Sequence, residues 1–185
     1  METTPIRDLL VVKNRPIEDA RGFFLEVFRE DEFARGGLPT SFVQINQSRS
    51  RRHVLRGLHF QWDPPMGKMM RVVAGTAYLA AVDIRLGSPT LGRAWGREVS
   101  ADDRIQVWAP AGFARGFCVL SEWAEIEYLC TGIYNAAAES GVRWNDPGIA
   151  GLEWPTATPL LSEKDAGAQT LGAWLARDEA KRFTF

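Results

Sequence analysis

Short apolar runs, each cut off by Gly, Pro, Asn or Asp, recur at close intervals along this chain. That rhythm constrains the fold more than any other feature. The runs are Leu9 to Lys13, Phe23 to Phe28, Phe42 to Gln47, Val54 to Trp62, Lys68 to Ala74, Tyr78 to Ile84, Arg104 to Ala109, Phe117 to Leu120 and Ile126 to Thr131. Strand-length runs in such a series predict an all-β sandwich or barrel rather than a parallel α/β sheet. Ala74-Gly75-Thr76 reads as a hairpin connector, Leu86-Gly87-Ser88-Pro89 ends the following run, and Pro110-Ala111-Gly112 precedes another. Helices are few. Glu30 to Arg35 is expected to make one or two turns before Gly36-Gly37, and the chain after Leu161 reads as a helical tail. Ser162, with Asp165 three residues on, resembles a capping box at its start.

Composition narrows the function classes. The 185 residues suit one domain, taken as 1–185. With 45% apolar residues and 22 basic against 23 acidic side chains, the chain is neither disordered nor built to attract polyanions, so no nucleic-acid partner is expected. Cys118 and Cys130 could pair only once, and a core of this size does not need the bridge, which points to a reducing, cytoplasmic setting. The start, METTPIRDLLVV, lacks the basic and apolar regions of a signal peptide. The longest uncharged apolar run, Val72 to Val82, is far short of a membrane span, so a soluble protein is expected.

Chemistry concentrates between Val54 and Val82. His59 lies in a β-type run and Lys68 follows a Pro-Pro turn, which places a base and a cation on adjacent strands and suggests a proton-transfer site. His59 is otherwise a core histidine satisfied by backbone. Lys68 is either a snorkelling edge residue or, pointing inward, a charge able to stabilise an oxyanion. Tyr128 is an ordinary strand aromatic or a phenolic acid, and Asp165 a helix cap or a second-role carboxylate. Strict alternation puts Arg56 and His59 on opposite faces, unless Gly57 marks a bulge that turns both toward one pocket. A β-barrel metal site wants two histidines one residue apart plus a carboxylate. Positions 57 and 61 are Gly and Gln and only His53 remains, so no metal is expected.

QINQSRSRRHVLRGLHFQ, PPMGKMMRVV, VDIRLGSPTLG, PAGFARGF and WNDP, in that order and spacing, resemble the dTDP-4-dehydrorhamnose 3,5-epimerase family over roughly residues 15 to 167. The resemblance implies a cupin-type jelly-roll β-barrel or sandwich with a few short helices. It implies no cofactor, and a nucleotide-linked 4-keto-6-deoxy sugar as substrate. In the family, a base removes the proton at C3 or C5 and a proton returns on the other face. Carried over by motif, His59 is the base, Asp165 its orienting partner, Lys68 the group beside the C4 oxygen and Tyr128 the opposing acid. Arg21, Phe24 and Glu26 match a nucleotide-binding segment that often acts across a homodimer interface. Gln44, Asn46, Arg56, Tyr134 and Glu139 match substrate contacts, with Arg56 on the diphosphate.

One residue departs from the pattern. Family members usually read GFAHGF where this chain reads GFARGF, so Arg115 replaces a histidine near the diphosphate or sugar. Arginine keeps a phosphate contact but does not shuttle protons. The resemblance therefore leaves two alternatives open: a monofunctional 3- or 5-epimerase, and a catalytically silent sugar-nucleotide binding module. Ala136 to Ala138 also stand where the family tends to have a proline and polar residues.

Overall fold

The computed structural model describes residues 1–185 as two packed antiparallel sheets with a short hairpin at one side. The strands are β1 (Glu2–Thr3), β2 (Leu10–Lys13), β3 (Ile17–Asp19), β4 (Gly22–Phe24), β5 (Gln44–Arg51), β6 (Leu55–Gln61) and β7 (Lys68–Ala74). They continue as β8 (Thr76–Asp83), β9 (Ala94–Ser100), β10 (Ile105–Ala109), β11 (Phe113–Val119), β12 (Trp123–Cys130) and β13 (Glu139–Gly141). One sheet runs β1-β2-β10-β7-β12-β5, the other β13-β6-β11-β8-β9, and β3 pairs only with β4. The sandwich is open, not a closed barrel.

Alternation along the strands builds the layers. On β8, Ala77, Leu79 and Ala81 join Val72, Val107, Phe113, Phe117 and Ile126 in the core between the sheets. Its other face, with Ala80 and Val82, packs under Leu171, Trp174 and Phe183 from the C-terminal segment. Both faces are covered, which explains why the Val72 to Val82 stretch reads as nearly unbroken apolar sequence. The outer face of the larger sheet is covered in part by α1 (Glu30–Arg35) and the turn after it, where Phe33 from the helix and Leu38 from the turn pack with Met69 and Trp108.

Two expectations are corrected here. Ala74-Gly75-Thr76 does not connect a hairpin: β7 pairs with β10 and β12 while β8 pairs with β11 and β9, so the turn carries the chain from one sheet to the other. Gly75 permits this with φ +74, where a Cβ would meet the Trp123 carbonyl oxygen at 2.2 Å. The tail is also not one helix. It breaks into α2 (Glu163–Ala166), α3 (Leu171–Leu175) and a 3₁₀ turn over Asp178–Arg182, with Gly167 ending the first and Thr170 capping the second.

Candidate active site

A cavity of about 220 Å³ opens between the inner faces of the two sheets. The smaller sheet supplies Arg56, His59, Gln61, Arg115 and Phe117, and the larger supplies Asn46, Lys68, Met70 and Tyr128. Met66, Tyr134 and Glu139 complete its lining.

The phase of β6 depends on Gly57. Its φ is +128, and an added Cβ would lie 2.6 Å from the Gly116 Cα and 2.7 Å from the Arg115 carbonyl oxygen, so glycine is required there. Beside it the β6–β11 register slips between Arg115 and Phe117. The slip turns Arg56 and His59 toward the same cavity although they are three residues apart. Arg56 is held from behind, its Nε donating to Ser50 Oγ at 3.0 Å.

His59 Nε2 lies 2.5 Å from Asp165 Oδ1. Asp165 is delivered by α2: Ser162 Oγ accepts the Asp165 N–H at 3.1 Å and fixes the first turn. Only that half of the expected capping box forms, because the carboxylate turns to His59. Burial pushes the Asp165 carboxyl up, but the His59 contact and charge, the Ser162 hydroxyl and the Gly57 backbone together hold it below the ordinary carboxylate value. An ionised Asp165 on Nε2 places the ring proton there and leaves Nδ1 to take a proton.

Lys68 sits on an interior strand of the larger sheet, facing inward, with Nζ 5.6 Å from the centre of the Tyr128 ring. The expectation of adjacent strands for His59 and Lys68 is therefore wrong. The turn at Pro64 and Pro65 moves the chain between sheets, and base and cation face each other across the cavity. Burial, with repulsion from Arg115, pulls the Lys68 ammonium down to about 8, against the opposing pull of Cys130 and Glu139.

Other expected residues frame this centre. Tyr134 Oη donates to Glu139 Oε2 at 3.0 Å, and Lys164 forms an ion pair with the same carboxylate. Gln44 accepts the Tyr134 N–H at 2.9 Å and donates to Asn46 Oδ1 at 2.9 Å, standing one step behind the lining. Arg115 is 3% exposed, bonded through Nε to the Phe113 carbonyl and through Nη2 to the Met66 carbonyl. Arg21, Phe24 and Glu26 do not line the cavity of their own chain. Arg21 pairs with Asp19, Glu26 with Arg29, and Phe24 is exposed on the β3–β4 hairpin.

Several lining residues escaped the sequence reading. Gln61 is buried, its amide donating to the Pro64 and Ile133 carbonyls and accepting the Asn135 N–H, so it ties together two loops at the rim. Met70 and Phe117 follow Lys68 and Arg115 by two residues, and strand alternation from those positions was the available signal. No three His, Cys, Asp or Glu side chains are arranged to hold a metal ion, and no helix is long and apolar enough to cross a membrane. Both cysteines are free and buried.

Comparison with known proteins identifies the family. The family model for dTDP-4-dehydrorhamnose 3,5-epimerase matches residues 3–173. The dTDP-4-dehydrorhamnose 3,5-epimerase of Shigella flexneri is 45% identical over 168 residues, covering 90% of this chain and 92% of that protein. The Neisseria gonorrhoeae enzyme of the same name is 47% identical over 168 residues, and there the match spans 90% of this chain but 51% of the relative's length. Among solved structures, the dTDP-6-deoxy-D-glucose-3,5-epimerase of Legionella pneumophila in complex with dTDP-4-keto-L-rhamnose superposes with a TM-score of 0.90 at 41% identity, covering 96% of this chain and 94% of that one. The chain belongs to the dTDP-4-dehydrorhamnose 3,5-epimerase family.

Proposed function

We propose that the cavity inverts C3, C5 or both of a nucleotide-linked 4-keto-6-deoxy sugar, with dTDP as the nucleotide, by proton transfer through an enolate. One observation carries the reading: a histidine oriented by a buried carboxylate stands on one wall, and a phenol beside a lysine stands on the other. The C4 carbonyl acidifies the neighbouring C–H bonds. His59 Nδ1 removes a proton, and Asp165 favours the imidazolium that results. The electron pair moves onto the C4 oxygen, beside the Lys68 ammonium. Tyr128 then delivers a proton to the same carbon from the opposite face. A base alone would return the proton to its own face and restore the original centre.

General acid–base catalysis contributes on the order of 10² to 10⁴ in rate, so stabilisation of the enolate by fixed charge supplies much of the remainder. Arg56, at the exposed lip, suits the diphosphate through paired donors. Gln44, Asn46, Tyr134 and Glu139 position the sugar. In a homodimer, Arg21, Phe24 and Glu26 would reach the nucleotide of the neighbouring copy; the exposed Ile17, Phe23 and Phe24 on one hairpin support that assignment. The two free cysteines are consistent with work in the cytoplasm.

The test is incubation with dTDP-4-keto-6-deoxyglucose in D₂O, read by NMR. Deuterium at C3 and C5 is expected for a double epimerase, and deuterium at one carbon identifies a monofunctional enzyme. Absence of deuterium at both rules out the proposal for this substrate.

A further inference from the structure

The charges in the cavity do not balance. Asp165 is engaged by His59, and Glu139 by Lys164 and Tyr134. Arg56, Lys68 and Arg115 are left without a carboxylate partner, although all three line the same cavity, and of these Arg56 is exposed. Arg115 is the most extreme case: it is 3% exposed, its only acceptors are two backbone carbonyls, and Nη1 is buried with no partner. A buried guanidinium in that state costs stability, and structural arginines are not ordinarily left so. Its position is also informative. Arg115 is the cross-strand partner of His59, yet lies deeper, since the His59 side chain is 26% exposed.

We propose that Arg115 is a positioning residue that acts through Lys68: as a fixed buried cation it makes Lys68 a proton donor to the C4 oxygen, beyond its role as an electrostatic partner. The inference rests on the epimerase reading above. As His59 takes the carbon-bound proton, the electron pair reaches the C4 oxygen and the Lys68 N–H bond breaks toward it, giving a neutral enol and a neutral amine. When Tyr128 protonates carbon from the other face, the enol O–H returns its proton to Lys68 and the carbonyl re-forms. The net transfer is one proton from Tyr128 to His59, reset by solvent. The groups facing Lys68 agree with this direction. Burial disfavours the Lys68 proton most, Arg115 from β11 and then Lys164 from α2 add repulsion, and Cys130 from β12 and Glu139 from β13 retain it. Tyr128 presents its ring, and His59 faces Lys68 from the opposite wall.

The experiment pairs a substrate-free titration with a rate profile. In the intact protein carrying ¹⁵N-lysine, with Lys68→Met assigning the signal, the Lys68 ammonium is expected to titrate near pH 8. In Arg115→Met it moves up but stays below the ordinary lysine range, because burial remains, and in Arg115→Lys it stays low. The basic limb of kcat moves with it, and kcat of Arg115→Met falls by about tenfold or more at neutral pH. A wild-type midpoint in the ordinary lysine range overturns the proposal without any variant. So does an Arg115→Met basic limb identical to wild type. Either result with intact deuterium incorporation leaves the epimerase reading standing, whereas loss of incorporation in wild type removes that reading itself.

Discussion

Two buried arginines, Arg85 and Arg115, show how differently this fold treats the same charge. Arg85 donates to both carboxylate oxygens of Asp83, to Asp8 and to the Arg7 carbonyl, and lies between the rings of Phe113 and Phe185. Asp83, at 0% exposure, also accepts from Ser88 and Thr90. Every demand is met. Arg115 bonds the carbonyl of that same Phe113, yet it has no counter-charge and one orphaned nitrogen. The satisfied cluster closes the chain where Asp8, the strand end at Asp83 and the C-terminal segment meet. The unsatisfied one faces the cavity in which negative charge is proposed to develop on the C4 oxygen beside Lys68. Buried orphaned atoms also occur away from the cavity, at Ser48, Arg104 and Trp174, so what singles out Arg115 is a buried charge with no counter-charge beside the cavity.

The contrast breaks first at Arg85. Arg85→Leu leaves Asp83 buried without its cation and should cost about 3–5 kcal/mol, seen in denaturant unfolding, while the folded fraction turns over normally. Lys68→Met should behave in the opposite way. Epimerisation falls by about 10² to 10³ from the loss of one stabilising group at the developing oxyanion, and the melting temperature rises, because a buried uncompensated charge is gone. Equal loss of rate at both sites would erase the distinction. Asp165→Asn keeps the Ser162 cap, which uses only the Asp165 N–H, and removes the charge that favours imidazolium. A fall in kcat of about 10² is expected with little change in KM.

The smallest effect is on stability against pH. Lys68 titrates near 8 in the folded state and at about 10.4 when unfolded, so between those values the unfolded chain binds the extra proton and stability rises with pH. Below pH 8 the cost of the buried charge is fully present. Lys68→Met should flatten that slope in isothermal unfolding measured from pH 7 to 10, and an unchanged slope would place the titration elsewhere.

Much of this organisation was legible in the sequence, in a way that follows what each signal encodes. Lys68 to Ala74 and Glu30 to Arg35 stand as read, because both are bounded by residues that end elements locally. The strand Ala94–Ser100 was missed: it is half-exposed, carries charges, and has Gly96 where the Tyr78 ring needs the space. Phe23 to Phe28 shrank to Gly22–Phe24 on an exposed hairpin. Turn residues announced the reversal at Gly75 but not that it changes sheets, since partner choice is set by distant strands. The site divides in the same way. His59, Lys68, Tyr128 and Asp165 were identified by motif, and Gly57 foretold the bend that brings Arg56 beside His59. Across-cavity placement, the half-made cap and the missing counter-charge at Arg115 needed three dimensions.

The central claim is that protons move on two walls, and Tyr128→Phe tests it most directly. The assay follows deuterium incorporation and inversion at C3 and C5 of dTDP-4-keto-6-deoxyglucose in D₂O, in one NMR time course. With His59 intact and the opposing acid gone, deuterium should still enter the sugar while inversion falls far behind it. Inversion keeping pace with incorporation, at the wild-type rate, would contradict the two-walled account.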